Sequence, residues 1–416
     1  MKDKKGIERR QFLKLSSTAV LAGLAGRLSG HQPEENLSIV EEAARKVGKL
    51  PRRKLGYSQR EITIIIGAGD LELLPTEAGV LCGMNYWHKA NRWMKNGAPG
   101  VIIKNRDAHY CQVTVDRVGA DHYQGHFDEE EHYRYVKEAL EKTGLRFFDD
   151  MQLHYGYHNT MELKEDRSFI RAFDRLKKEG LVKHLCLSQH SYEGSSRVEN
   201  GQSAAEVLTA IVEDGLYEHA QIIYSFGSDP EMDKFLAFAH EKKFGTIAMK
   251  TARGIGRMKQ DESFNNKMPK DTSPYNALVR WLTTKTWLDA AVIRVRNLEE
   301  FVETYSGAGK EMRPQDVRAL EIMTAEADRT ACRLCGKCQS QCPRQIPITD
   351  ILRFERYALD DHEWTKAGKL YAELPTKGDQ CINCRSCVQN CPLNLQIPEK
   401  IARAHIMLTT DNRQRL

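Results

Sequence analysis

Along residues 50–325 the apolar positions follow two alternating patterns: short β-branched runs, and longer segments whose apolar positions recur every three or four residues. The runs predict strands at 61–67, 84–87, 101–104, 147–153, 184–187, 220–224, 246–249 and 290–295. The segments between them predict helices at 129–143, 166–179, 204–214, 229–242, 275–285 and 298–307. Asp128 and Glu131 suit a capping box at the start of the first helix. Eight strands interleaved with helices is the count of a (β/α)8 barrel, so the expected fold class is α/β, a TIM barrel over 50–325. Gly67-x-Gly69 and Gly254-x-Gly256 fall short of a dinucleotide fingerprint and read as turns.

The 416 residues are 41% hydrophobic and 29% charged, enough apolar content for a large core. Lys and Arg exceed Asp and Glu by 62 to 57, and the first 30 residues, with seven bases and two acids, supply the whole excess. The balanced remainder gives no basic face for nucleic acid, and no such partner is expected. No apolar run reaches the roughly 18 residues of a spanning helix. Instead, Arg9-Arg10-Gln11-Phe12-Leu13-Lys14 precedes an uncharged stretch rich in Ser, Ala and Gly, which resembles a twin-arginine export signal over 1–30. Residues 31–49 then read as a linker. The expected location is the periplasm or the outer face of the cytoplasmic membrane, with membrane contact only through the signal or a partner complex.

Eight of the eleven cysteines form two blocks, Cys332-x2-Cys335-x2-Cys338-x3-Cys342-Pro343 and Cys381-x2-Cys384-x2-Cys387-x3-Cys391-Pro392. This is the spacing of two-cluster bacterial ferredoxins, in which the fourth cysteine of each block serves the other cluster. One [4Fe-4S] cluster is expected on Cys332, Cys335, Cys338 and Cys391, the other on Cys381, Cys384, Cys387 and Cys342. Disulfides and four-thiolate zinc are the competing uses of such cysteines, and neither explains the regular block with its following Pro occurring twice. Helical periodicity at 348–359 and 397–408 makes 326–416 a small α-helical ferredoxin-like domain, similar to the electron-transfer domains of fumarate reductase iron-sulfur subunits. Cys82, Cys111 and Cys186 are scattered and read as small buried hydrophobes.

The order Arg53-Lys54-Leu55-Gly56, Gly83-Met84-Asn85-Tyr86-Trp87, Val101-Ile102-Ile103-Lys104, Asp149-x4-His154, Leu187-Ser188-Gln189-His190 and Ile247-Ala248-Met249-Lys250 resembles the aldo/keto reductase barrel. That resemblance implies NADP(H) as cofactor and a catalytic Asp, Tyr, Lys and His. Lys104 and His154 match the last two. His88 stands where the carboxylate would be and Trp93 where the phenol would be, and an indole cannot serve as a general acid. Ser188, Gln189 and Gln221 fall where the family contacts the nicotinamide carboxamide; read from the residues alone they are equally strand-end polar groups bonded to backbone. His122, His126 and His132 lie in an acidic stretch and read as a solvated loop and helix start. The function expected is an exported iron-sulfur oxidoreductase with an altered catalytic set, serving an unidentified small molecule and a redox protein partner. The alternatives are a non-catalytic electron-transfer or scaffold subunit of a membrane-associated complex, and an NADPH-dependent carbonyl reductase.

Overall fold

A computed structural model of the chain describes residues 33–68, 72–119, 123–193, 195, 197–227, 230–252, 254–359 and 363–410. The expected export signal with its Arg9-Arg10 pair lies outside the described residues, as do Gly69 and His122. Strands β1 (Arg52–Leu55) and β2 (Arg60–Thr63) pair antiparallel as a hairpin. Eight further strands form a closed parallel barrel in chain order: β3 (Ile65–Ala68), β4 (Tyr86–His88), β5 (Tyr110–Val115), β6 (Asp150–Leu153), β7 (His184–Gln189), β8 (His219–Ile223), β9 (Gly245–Met249) and β10 (Ala290–Val292). β10 closes the ring by pairing with both β9 and β3. The (β/α)8 barrel expected from the apolar pattern is therefore present.

Two strand assignments change. Residues 101–104 belong to a short helix, Gly100–Lys104, that starts after Pro99, and the third barrel strand is β5. The 61–67 run divides at Ile64 into β2 and β3, where the Thr63 hydroxyl donates to the Ile65 carbonyl at 2.7 Å and the chain passes from hairpin to barrel.

The hairpin plugs the N-terminal end of the barrel. Gly56 sits so close to the start of β9 that a Cβ there would lie 2.2 Å from the Gly245 nitrogen, and its φ of +41° is costly for any side chain. Arg60 reaches into the barrel floor and donates two hydrogen bonds, 2.9 and 2.6 Å, to the carboxylate of Asp150.

The outer helices follow the expected periods closely. Glu129–Thr143 begins with Asp128 accepting from the Glu131 amide at 2.8 Å. Ala204–Asp214 carries a full capping box, in which Ser203 accepts from the Glu206 amide and the Glu206 carboxylate accepts from the Ser203 amide. Ser203→Ala removes the hydroxyl acceptor at an exposed helix end and should cost about 1 kcal/mol, read as a lower urea midpoint at an unchanged slope.

The stretch expected as a linker, 31–49, instead holds the helix Pro33–Val47, which buries Val40 and Ala43 as it packs on the helices Leu73–Leu81 and Leu298–Tyr305. The helix Pro314–Thr330 packs on Pro274–Thr284, so the domain boundary expected at 325–326 falls inside a helix of the barrel unit. His132 is also not solvated: it is 1% exposed, between the rings of Phe127 and Phe169, and burial pushes it down to about 4.

Beyond 331 the helices Ile348–Leu359, Trp364–Ala372 and Ile397–Thr409 pack on one another around Ile351, Phe354, Leu370 and Ile401. This helical module is seated on loops at the C-terminal end of the barrel. Arg353 donates to the Ser191 carbonyl, Asp350 accepts from the Ser195 hydroxyl, and Arg197 donates to the Leu370 carbonyl and the Glu373 carboxylate. Tyr123 and Tyr192 from the barrel loops join the module's apolar core. No helix among the described residues is long and apolar enough to cross a membrane.

Candidate functional site: the barrel mouth and two cysteine chambers

Strand alternation sends Tyr86 and His88 into the barrel and Trp87 outward. His88 is buried, with the Gln112 Oε1 at 2.5 Å and the Gln221 Nε2 at 2.8 Å from its Nδ1. Burial, then the neighbouring Lys89 charge, holds this imidazole well below its usual range, so it is neutral. Below it, Gln112 also donates to the Tyr86 hydroxyl, which lies 3.2 Å from the His219 Nε2. The interior is thus polar, and most of its groups bond one another, while the Gln152 Nε2 and the His219 Nδ1 are buried without a hydrogen-bond partner. Asp150, Cys186 and His219 place possible ligand atoms within 4.8 Å of one another. Arg60 occupies both oxygens of Asp150, which makes this cluster an ion pair in a polar core rather than a metal seat. Cys82, Cys111 and Cys186 are all buried, as expected of small hydrophobes.

Lys104 does not reach the mouth. It lies exposed at the end of its short helix, outside the barrel wall. Trp93 is likewise behind the wall: its ring packs 6.2 Å from that of the outward-facing Trp87. The lysine at the mouth is Lys89, directly after β4, with Nζ 3.3 Å from the Nε2 of His154. On its other side, His154 Nδ1 bonds the carboxylate of Asp116. An ammonium can only donate, so Nε2 is the accepting nitrogen and Nδ1 carries the proton toward Asp116. Burial and the Lys89 charge push His154 down to about 4 against the opposing pull of Asp116, and it too is neutral.

Ser188, Gln189 and Gln221 line the same end of the barrel, all buried. Gln189 donates to the carbonyls of Tyr157 and His190 and accepts from the Tyr157 amide. Its side chain is bound to backbone throughout, which is the structural one of its two expected roles. Gly156 makes that contact possible, since a Cβ there would lie 2.0 Å from the Gln189 Oε1. Gln221 is engaged with His88, and Ser188 accepts the amide of Tyr155 at 3.1 Å.

Sequence reasoning missed Lys89, Asp116 and Tyr155. A signal for two of them lies in the backbone: Lys89 (φ 54°), Tyr155 (φ 66°) and Lys250 (φ 54°) adopt left-handed conformations just past the ends of β4, β6 and β9. Such strain on non-glycine residues costs of order 1–3 kcal/mol each and gathers at functional sites.

The eight block cysteines surround two cavities of about 330 Å³ each, open solvent included. One is lined by Cys332, Cys335, Cys338 and Cys391, the other by Cys342, Cys381, Cys384 and Cys387. Each takes three cysteines from one block and the fourth from the other. The two loops repeat in backbone detail: left-handed residues fall at Leu334, Gly336 and Gln345 in the first block and at Asn383, Arg385 and Asn394 in the second, the same offsets from their cysteines. In each, the amide three residues after the fourth cysteine returns to that cysteine's carbonyl, at 2.9 and 3.0 Å, and a helix begins three residues later. None of the eight is in a disulfide. Burial pushes the thiols of Cys332 and Cys387 up to about 11 and that of Cys338 to about 12, while backbone and side-chain hydrogen bonds at Ser386 lower that of the exposed Cys384.

No protein-family model matches the chain, and no curated protein does. Among solved structures it is similar to a putative aldo-keto reductase from Pseudomonas aeruginosa, at 14% identity over 63% of this chain and 97% of that one, with a TM-score of 0.45. It is also similar to an aldo-keto reductase from Bacillus halodurans in its holo form, at 12% identity over 66% and 96%, with a TM-score of 0.47.

Proposed function

We propose that this chain is an exported iron-sulfur oxidoreductase, in which two [4Fe-4S] clusters exchange electrons with a redox protein and the barrel mouth receives a small-molecule substrate. The observation that carries the reading is the division of eight cysteines between two like chambers, each drawing its fourth ligand from the opposite block. Cys332, Cys335, Cys338 and Cys391 would hold one cluster, and Cys342, Cys381, Cys384 and Cys387 the other. When bound, such clusters supply one-electron transfer. The backbone turns at Leu334 and Asn383 shape the enclosures, and the Leu334 amide already donates to the Cys332 sulfur at 3.2 Å. The export signal supports an oxidising location reached by a route that carries folded, cofactor-loaded proteins.

For NADP(H), the cofactor implied by the barrel's resemblance, the mouth offers little. Gln189 is bound to backbone, Gln221 to His88, and neither Lys104 nor Trp93 is in the site. The substrate therefore meets a proton-handling set of Asp116, His154, Lys89 and Tyr155 without a dedicated carboxamide contact. Anaerobic titration of the purified chain with NADPH should leave tryptophan fluorescence unchanged and the visible cluster absorbance unbleached. Binding with bleaching would restore the carbonyl reductase reading. A second reading, a scaffold subunit without chemistry of its own, draws on the helical module seated over the mouth. Iron and sulfide analysis tests the main reading, since a chain without either would end it.

A further inference from the structure

We propose that Tyr155 is the proton-transfer group of the barrel mouth and that Lys366, carried by the helical module, completes it across the domain junction. The inference rests on the mouth being a substrate site, as argued above.

Tyr155 is held at every point. Its amide donates to the Ser188 hydroxyl at 3.1 Å, its carbonyl accepts from the Tyr192 hydroxyl at 3.0 Å, and its ring lies 3.9 Å from that of His154 and 4.8 Å from that of His190. The φ of +66° imposed by these contacts is unfavourable for an aromatic residue, and such a conformation persists only where its surroundings determine it. What the strain achieves is the placement of the phenol. Its Oη accepts from the Lys366 Nζ at 2.9 Å. Lys366 stands on the helix Trp364–Ala372, and its Nζ also lies 3.0 Å from the Glu363 carboxylate and 4.7 Å from the centre of the Tyr357 ring.

An ammonium only donates, so the phenol's own proton points away from Lys366. The step that follows is a single proton transfer. The Oη–H bond breaks, the proton passes to an oxyanion on the substrate, and the bonding pair remains on Oη as a phenolate. The charge of Lys366 stabilises that phenolate through a charge-assisted hydrogen bond, and water returns the proton. His154, held by Asp116 and Lys89, forms the floor under the ring. Without the module in place the phenol lacks its cation, so the seating of the cysteine-bearing module and the proton chemistry of the barrel are one structural event.

The test is chemical labelling of the full, iron-loaded chain under argon with an aryl sulfonyl fluoride, which reacts with activated phenols, followed by peptide mass mapping. Tyr57, 49% exposed, is the internal reference. Tyr155 should label at least about tenfold faster than Tyr57 despite its greater burial. Lys366→Met should lower the Tyr155 rate roughly tenfold and leave Tyr57 unchanged, while Lys366→Arg, which keeps the cation, should retain most of it. Labelling of Tyr155 no faster than Tyr57, or equal loss in both Lys366 variants, would overturn the proposal. The wild-type comparison decides even if Lys366→Met fails to fold. Iron analysis of the same samples separates the two readings: rapid labelling in a chain without iron supports the proton-transfer group and ends the cluster reading, and an inert Tyr155 in an iron-loaded chain does the reverse.

Discussion

Replacing Cys342 with serine should remove the cluster proposed for the chamber of the second cysteine block, and replacing Cys391 the one proposed for the chamber of the first. The prediction follows from the chamber linings, where Cys342 faces Cys381, Cys384 and Cys387, and Cys391 faces Cys332, Cys335 and Cys338. Each single variant should fall from about eight irons per chain to about four and lose about half of the visible absorbance. The sharper result is in the pairing. Cys342→Ser should share its residual electron paramagnetic resonance signal with Cys384→Ser, and Cys391→Ser should share its own with Cys335→Ser. If each block instead served a cluster alone, Cys342→Ser would match Cys335→Ser. Unchanged iron in all four variants would remove the cluster assignment altogether. The two sites should also differ in access, because Cys384 is exposed and Ile382 near it is 54% exposed, so the proposed redox partner should approach the chamber of the second block.

The second large effect lies at the other end of the barrel. Asp150→Ala should destabilise the protein by about 3–5 kcal/mol, because it leaves the Arg60 guanidinium buried in the barrel floor without its carboxylate. Burial alone would raise the Asp150 carboxyl, and the Arg60 charge more than offsets this, leaving it below the usual carboxylate range. A depressed carboxyl contributes stability that is present above its ordinary value and is lost as pH falls through the lowered one. Wild-type stability should therefore decline in acid at this site, and the decline should be absent from Asp150→Ala. Combining Asp150→Leu with Arg60→Met removes both charges together and should recover most of the loss. Urea unfolding followed by tryptophan fluorescence at neutral and acid pH checks both points. A double variant as unstable as the single one would mean that the pair acts by packing and not by charge.

How much of this was legible in the sequence depended on whether an element faces one environment or two. Glu129–Thr143, Ala204–Asp214 and Ile348–Leu359 match their expected bounds because each is an amphipathic helix with one apolar face, a repeat that spacing alone reveals. β5 was hidden for the opposite reason. Its inward residues, Gln112 and Thr114, are polar and find partners in Tyr86, Cys186 and Gln152 on nearby strands, so the strand lacks the apolar run by which its neighbours were recognised. Val101, Ile102 and Ile103 supplied such a run but form one helical turn, which carried Lys104 away from the mouth. The number of strands was right although one of the eight was not. The site suffered most, because Lys89 and Tyr155 owe their positions to left-handed backbone and Lys366 to a junction between domains, neither of which leaves a period in the sequence. The grouping of the eight cysteines into two sets was readable because it is carried by their spacing alone.

The exchange of fourth cysteines between the chambers also sets an order on biosynthesis. Compact units tend to fold as they emerge, the earlier part of a chain first. The last barrel strand, β10, ends at Val292, and the residues of the barrel's main core run on to Ala327, before the helical module begins. Neither chamber is so contained. The first block has all four of its own cysteines by residue 342, yet its enclosure waits for Cys391, and by then the second block is complete as well. The second chamber has its four cysteines once Cys387 is made and the first only with Cys391, so both sets are completed within the second block, after all of the barrel has been synthesised.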